Sequence, residues 1–140
     1  MAKVIAIANQ KGGVGKTTTA INLAASLAHS NMQILLLDID PQGNATMGCG
    51  IDKNDLVHTS NEVLLHDCLA EQAALSTNCG FDLIPTNGDL TVAEVNLMDR
   101  SHRETFLFKA LQPVQNTYDI ILIDCPPALN TLTINGLVAA

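Results

Sequence analysis

Residues 10–18 read Gln10-Lys11-Gly12-Gly13-Val14-Gly15-Lys16-Thr17-Thr18 and separate two segments of different periodicity. Before this glycine-rich stretch, residues 3–8 form a short apolar run, which predicts a strand buried on both faces. After it, residues 16–30 carry small and apolar side chains at spacings of three and four, which predicts an α-helix. Those apolar positions are Ala20, Leu23, Ala24, Leu27 and Ala28. A strand, a glycine-rich loop and a helix in this order predict an α/β protein.

The composition of the loop fits the binding of phosphate groups. Glycines let backbone N–H groups approach an anion closely, and a helix N-terminus favours negative charge. A lysine adds a point charge, and a threonine hydroxyl can ligate magnesium. The strict phosphate-loop pattern would place glycine at position 10, where this chain has Gln10. The alternative is a glycine-rich turn that only caps a helix. The predicted phosphate-binding residues are Lys11, Gly12, Gly13, Val14, Gly15, Lys16, Thr17 and Thr18.

The rest of the chain continues to alternate between strands and helices. Apolar runs predict further strands at residues 33–39, 81–85 and 118–123. Helices are predicted at residues 62–69 with Asn61 as the cap, at 89–100, at 103–111, and from about residue 129. Residues 45–60 lack a clear period and are expected to be loop. The predicted fold class is therefore α/β, with a parallel β-sheet flanked by helices.

Three aspartates follow predicted strands. Asp38 and Asp40 stand at the end of the second strand, and Asp124 ends the apolar run 120–123. Ligands of open α/β sheets bind outside the carboxyl ends of the strands, so these carboxylates and the glycine-rich loop are expected at one site. Strand alternation predicts that Ile39 enters the core while Asp38 and Asp40 point the other way. The alternative for Asp38 is a carboxylate that caps the following turn.

Composition narrows the functional classes. The chain has 140 residues with 14 acidic and 7 basic side chains, a net charge of −7 that argues against a broad nucleic-acid surface. No apolar run approaches the roughly 20 residues of a membrane span, and the start of the chain does not resemble a signal peptide. A cytoplasmic location is therefore expected. The cysteines have no C-x-x-C spacing, which favours reduced thiols over a zinc site. They are Cys49, Cys68, Cys79 and Cys125.

The segment from Lys11 to Thr18 resembles the deviant Walker A motif of the ParA/MinD superfamily of P-loop (SIMIBI-like) ATPases. Lys11 matches the signature lysine, which in that family reaches the partner's ATP across a nucleotide-sandwich dimer. The resemblance implies ATP and Mg²⁺ as ligands and an ATP-dependent homodimer. It implies catalytic roles for Lys11, Lys16 and Asp40, the last orienting the attacking water. It also implies that Thr17, Asp38 and Asp124 lie at the magnesium, with Asp124 as the Walker B aspartate.

Two further segments are similar to the ParA/Soj branch, the chromosome- and plasmid-partitioning ATPases. They are Asp40-Pro41-Gln42-Gly43-Asn44 and Asp124-Cys125-Pro126-Pro127. Membership of that branch implies DNA segregation with a ParB-like partner, nucleoid association and no membrane partner. Non-specific DNA binding would belong to a C-terminal part that this sequence lacks. A MinD-like division-site ATPase is the alternative within the superfamily.

The last residues, Leu137-Val138-Ala139-Ala140, fall inside a predicted helix without a C-cap. Residues 1–140 are therefore interpreted as the N-terminal part of one P-loop ATPase domain, truncated at the C-terminus. In the superfamily a later strand covers the phosphate-loop strand, so residues 4–8 are expected to form an exposed apolar sheet edge. For these 140 residues alone, a non-hydrolysing nucleotide-binding or dimerisation module is the second hypothesis.

Overall fold

A computed structural model describes residues 1–9 and 15–140. Within them, five strands form one sheet in the order β1-β5-β2-β4-β3. The strands are β1 Lys3–Ile7, β2 Ile34–Asp38, β3 Leu75–Ser76, β4 Asp82–Ile84 and β5 Ile120–Asp124. The α-helices are α1 Lys16–His29, α2 Asn44–Gly48, α3 Ser60–Leu64, α4 Ala70–Ala73, α5 Leu90–Met98, α6 Phe106–Leu111 and α7 Thr131–Ala139. Short 3₁₀ turns lie at Lys53–Asp55, Arg103–Thr105 and Gln112–Val114.

The sheet is parallel among its four principal strands, as the sequence predicts. The exception is β3, a two-residue strand that pairs antiparallel with β4. Residues 75–76 and the short helix α4 give no periodic signal in the sequence, and neither was predicted. Elements of two to four residues span only about one hydrophobic period, so they cannot be distinguished from loop by pattern alone.

Side chains of the central strands alternate between two cores, one on each face of the sheet. In β2, Ile34 and Leu36 join a cluster with Ala20 and Ala24 of α1. Leu35 and Leu37 face the opposite side, where α3, α5, α6 and α7 supply the packing partners. Because successive strand side chains alternate in direction, Asp38 lies on the α1 side and Ile39 on the other. Ile39 is fully buried in the second core, which confirms its predicted direction.

The first strand lies at the edge of the sheet, as expected. Among the described residues it pairs only with β5. Its side chains from Val4 to Ile7 are half-buried, so the edge is less exposed than predicted, and Ala8 lies outside the strand. In the part of the chain that the structure describes, no helix is long and apolar enough to cross a bilayer.

Three local expectations are wrong. Residues 45–60, expected as loop, contain most of α2 and a 3₁₀ turn. The third helix is capped by Thr59 rather than Asn61, and Glu62 completes the capping box by accepting from the Thr59 backbone N–H at 3.0 Å. Leu23, placed on the apolar face of α1, is 37% exposed, whereas Ala20 and Ala24 of the same helix are fully buried against the sheet.

Candidate functional site

The carboxyl ends of three neighbouring strands meet at one level of the sheet. Asp124, the last residue of β5, is in register with Ile7 of β1 on one side and Asp38 of β2 on the other. Backbone hydrogen bonds continue past the strands, with Cys125 N donating to Ile7 O at 3.0 Å and Ile39 N donating to Asp124 O at 3.1 Å. The predicted convergence of Asp38 and Asp124 at this edge is therefore observed, and the first turn of α1 joins them there.

The first turn of α1 contacts Asp124 through two side chains. The Lys16 ammonium forms a short ion pair with Asp124 Oδ1, and the Thr17 hydroxyl donates to Asp124 Oδ2 at 3.0 Å. The Asp124 side chain is fully buried and that of Lys16 is 10% exposed. Burial raises the pKa of Asp124 above its usual value, and the contacts with Lys16 and Thr17 oppose that shift. The pair joins the first residue of α1 to a strand end 108 positions later.

The N-terminus of α1 is open to an anion. Its N-cap is Gly15, in the left-handed conformation at φ 80°, and this residue brings no capping side chain. The first turn also carries no acidic residue. By contrast, Asn130 caps α7 by accepting from Thr133 N. Among the described residues, a Cβ added at Gly15 would meet nothing within 4 Å. The N-terminus of a helix, with Lys16 in its first turn, favours a negatively charged ligand.

Asp38 contacts neighbouring protein groups through both of its oxygens. Oδ1 accepts from Asp40 N at 3.1 Å, and Oδ2 accepts from Thr46 N at 3.0 Å and from the Thr46 hydroxyl at 2.7 Å. Asp38 and Thr46 are both fully buried. Burial raises the pKa of Asp38 to about 7, although the hydrogen bonds from Thr46 and Asp40 lower it. These contacts match the turn-capping alternative that the sequence left open for Asp38.

Asp40 lies in a tight turn beside this network. It is 4% exposed, its Oδ1 accepts from Gln42 N at 3.1 Å, and its carbonyl accepts from Gly43 N at 2.8 Å. Gly43 has φ 67°, which favours glycine, and a Cβ there would lie 2.8 Å from the Lys53 side chain. The Lys53 ammonium donates to Gln42 O at 3.1 Å. The turn is therefore held by backbone and side-chain contacts together.

The segment after Asp124 packs closely on α7. The Thr133 hydroxyl donates to the carbonyl of Ala128. A Cβ at Gly136 would lie 2.7 Å from Cys125 Sγ, so glycine permits this close approach. Burial raises the pKa of Cys125 to about 12, which keeps its thiol protonated at neutral pH. Sequence reasoning missed Thr46, Lys53 and Thr133 as contributors to the site, and no motif in the sequence marks them.

Part of the predicted site lies outside the described residues, namely Lys11, Gly12, Gly13 and Val14. Thr18, the last predicted phosphate-binding residue, is exposed on the first turn of α1. Over residues 1–9 and 15–140, no three His, Cys, Asp or Glu side chains are grouped closely enough to hold a metal ion. Magnesium usually binds through one or two protein carboxylates and completes its shell with water and substrate phosphate oxygens.

Comparisons with known proteins agree on one family. The chain matches the AAA domain family over residues 2–140. It is 50% identical to the chromosome partitioning protein ParA of Myxococcus xanthus, covering 99% of this chain and 49% of the relative. It is 48% identical to the sporulation initiation inhibitor protein Soj of Bacillus subtilis, covering 100% and 56%. The chain thus spans about half the length of these curated relatives.

Solved structures show the same architecture together with a ligand. The cobyrinic acid a,c-diamide synthase of Mycobacterium smegmatis, with a bound ATP analogue and magnesium, superposes with a TM-score of 0.97 at 44% identity. The similarity covers 100% of this chain and 57% of that protein. Its name describes a synthase rather than a partitioning protein. What this structure adds to the comparison is a magnesium nucleotide bound in the same fold.

Proposed function

The chain belongs to the AAA domain family and to its ParA/Soj-type partitioning ATPases, and from this premise we propose that it binds ATP with Mg²⁺ at the carboxyl edge of the sheet. One observation carries the proposal: the uncapped N-terminus of α1 brings Lys16 and Thr17 onto the buried carboxylate of Asp124. Positive charge, free N–H groups and a magnesium-type oxygen pair then lie together. The residues proposed for the phosphates are Lys11, Gly12, Gly13, Val14, Gly15, Lys16, Thr17 and Thr18.

The oxygen atoms at this edge suit magnesium. The Thr17 hydroxyl and the Asp124 carboxylate are hard oxygen ligands and lie 3.0 Å apart, and phosphate oxygens of the nucleotide would complete the set. Magnesium supplies charge neutralisation to the phosphates when it is bound. Lys16 now neutralises Asp124. We propose that Lys16 leaves this carboxylate for the phosphates when the nucleotide binds.

Hydrolysis is assigned to the turn that follows β2. Asp40 is buried, its carboxylate is fixed by Gln42 N, and only one of its oxygens has a described hydrogen bond. A fixed carboxylate beside the phosphate site can orient a water molecule for attack. Lys16 stabilises the charge that develops on the phosphate oxygens. Lys11 is proposed to add charge from the partner protomer of a nucleotide-sandwich dimer, because it matches the signature lysine.

The cellular role follows from the family. The similarity to the chromosome partitioning protein ParA and to Soj supports a partitioning role. We propose that the protein cycles between a monomer and an ATP-bound dimer. We propose that the protein acts in the cytoplasm on chromosomal or plasmid DNA, with a ParB-like partner that stimulates hydrolysis. DNA binding is assigned to a C-terminal continuation of the same domain, because residues 1–140 carry a net charge of −7. A nucleotide-binding module that does not hydrolyse ATP is the second candidate. It is considered because the chain covers only 49% and 56% of the two relatives.

Phosphate release with Asp40→Ala tests the proposal. We expect the unchanged chain to release phosphate with Mg-ATP, and Asp40→Ala to bind ATP normally but hydrolyse it about 100-fold or more slowly, the size typical of a lost catalytic group. Asp99→Ala is the matched control, because Asp99 is exposed at the end of α5. Normal hydrolysis by Asp40→Ala would remove Asp40 from catalysis. ATP binding without phosphate release by the unchanged chain would support the module instead, and absence of binding would reject both.

A further inference from the structure

A hydrogen-bond chain links the end of β4 to the turn that carries Asp40. Thr86 N donates to the Thr46 hydroxyl oxygen at 3.0 Å, and that hydroxyl donates to Asp38 Oδ2 at 2.7 Å. Asp38 Oδ1 then accepts from Asp40 N at 3.1 Å. We propose that Thr46 is a positioning residue, which fixes the Asp40 turn through Asp38. The inference rests on the proposed function, in which Asp40 orients the attacking water.

The direction of each bond in this chain is fixed by chemistry. A backbone N–H can only donate, so the Thr46 oxygen accepts from Thr86. The single hydroxyl proton of Thr46 is therefore free to go to Asp38. Thr46, Thr86 and Asp38 are all 0% exposed, so water does not compete for these bonds. A buried polar chain with every member paired holds its parts in one arrangement.

The turn is anchored at both ends by this chain. Asp38 holds the start of the turn at Asp40 N and the first helical residues beyond it at Thr46 N. Between these points Asp40 bonds Gln42 and Gly43, so the carboxylate moves only if the whole turn moves. Displacement of a catalytic group by about 1 Å can lower a rate about 100-fold. A residue that never touches the nucleotide can therefore control hydrolysis.

In this arrangement the protein itself holds Asp38, which the family resemblance placed at the magnesium. Three protein donors occupy three of the roughly four acceptor positions on its two oxygens, one on Oδ1 and two on Oδ2. In the positioning account, Asp38 acts on the reaction only through Asp40.

A pair of substitutions at position 46 tests the inference. Thr46→Val keeps the shape of the side chain but removes the hydroxyl, whereas Thr46→Ser keeps the hydroxyl. We expect Thr46→Val to lower kcat for ATP hydrolysis about 10- to 100-fold with unchanged ATP affinity, because the turn shifts while the phosphate site remains. Amide hydrogen exchange of residues 40–48 should accelerate in the same variant without nucleotide. Thr46→Ser should restore both, and Thr91→Val, on the exposed face of α5, is the matched control.

The outcomes separate this inference from the proposed function. Equal behaviour of Thr46→Val and Thr46→Ser in exchange and in kcat would overturn the positioning role. A Thr46→Val variant that loses ATP affinity, with kcat unchanged, would also overturn it, since Thr46 would then serve binding. If the unchanged chain does not bind ATP or does not hydrolyse it, the proposed ATPase function is rejected, and the catalytic positioning role of Thr46 is rejected with it. The exchange measurement would still show, without nucleotide, whether the hydroxyl orders the turn.

Discussion

The two ends of the same sheet treat their polar side chains differently. At the amino end, Tyr118 donates to Asp82 at 2.7 Å, and Asp119 accepts from Gln33 N at 2.7 Å, so strand starts are joined to one another. At the carboxyl end, the fully buried Asp124 faces Lys16, Thr17 and an uncapped helix. At the amino end, these polar groups form hydrogen bonds with one another. At the carboxyl end, a bound ligand can take over the contacts that Lys16 and Thr17 now make with the Asp124 carboxylate. Such an arrangement is typical of a binding site.

The largest effect on folding is expected where charge is buried. Lys16→Met removes the cation but keeps the length of the side chain. Among the described residues, it leaves the buried Asp124 carboxylate with the Thr17 hydroxyl as its side-chain partner. We expect a loss of about 3–5 kcal/mol in the free energy of unfolding, the cost typical of breaking a buried pair. Urea denaturation without nucleotide measures it. The result would show that the carboxyl end holds a charge that requires neutralisation.

Two further variants sharpen this measurement. Asp124→Asn keeps the shape and removes the buried negative charge, so the double variant Lys16→Met/Asp124→Asn should recover much of the loss, a coupling that independent sites do not show. Lys109→Met, at an exposed position of α6, should change stability by about 0.5 kcal/mol or less. Additive effects of the two substitutions would show that Lys16 and Asp124 are not paired. The proposed difference between the amino and carboxyl ends of the sheet would then be wrong.

A smaller, pH-dependent effect is expected at the amino end. Burial and the hydrogen bond to Asp82 raise the pKa of Tyr118 above its usual value of about 10. Above that pH the unfolded chain loses the phenol proton while the folded chain keeps it, so stability falls as pH rises, by up to about 1.4 kcal/mol per pH unit. Tyr118→Phe should remove this alkaline loss and cost about 0.5–1.5 kcal/mol at pH 7.

Denaturation curves for Tyr118→Phe and the unchanged chain, measured from pH 7 to 11, check this prediction. The two stability curves should converge as pH rises above about 10, because only the unchanged chain carries the phenol. Lysines and cysteines titrate in both proteins and cancel in the comparison. Curves that stay parallel up to pH 11 would mean that Tyr118 ionises equally in the folded and unfolded chains. The hydrogen bond from Tyr118 to Asp82 would then not protect the phenol from ionisation.

Sequence patterns predicted the principal strands and the meeting of Asp38 and Asp124, whereas the family resemblance predicted the position of β1 at the edge. They succeed there because buried parallel strands are continuous apolar runs, and because strand ends in such a sheet share one edge. The contact of Lys16 with Asp124 follows from the same topology. These features depend on residues whose type is restricted by burial or by backbone conformation.

The sequence failed where a residue's role depends on partners distant along the chain. Thr46 lies in a segment without period, and its partner Thr86 is 40 positions away. No sequence motif marks Lys53, yet its ammonium donates to Gln42 O in the turn. The two buried contacts of Asp38 with Thr46 likewise require the folded arrangement of α2 on the sheet. Hydrogen bonds between distant segments leave no periodic signal in the sequence.

A binding titration measures whether the carboxyl end of this sheet is a magnesium–nucleotide site. The 140-residue chain would be titrated with a fluorescent ATP analogue, with and without magnesium, beside Lys16→Ala and the control Lys109→Ala. The account predicts magnesium-dependent binding that Lys109→Ala retains and that Lys16→Ala weakens at least about 100-fold, as expected when a desolvated charge contact is lost. Equal affinity of Lys16→Ala and the unchanged chain, or no binding by a folded chain, would contradict it.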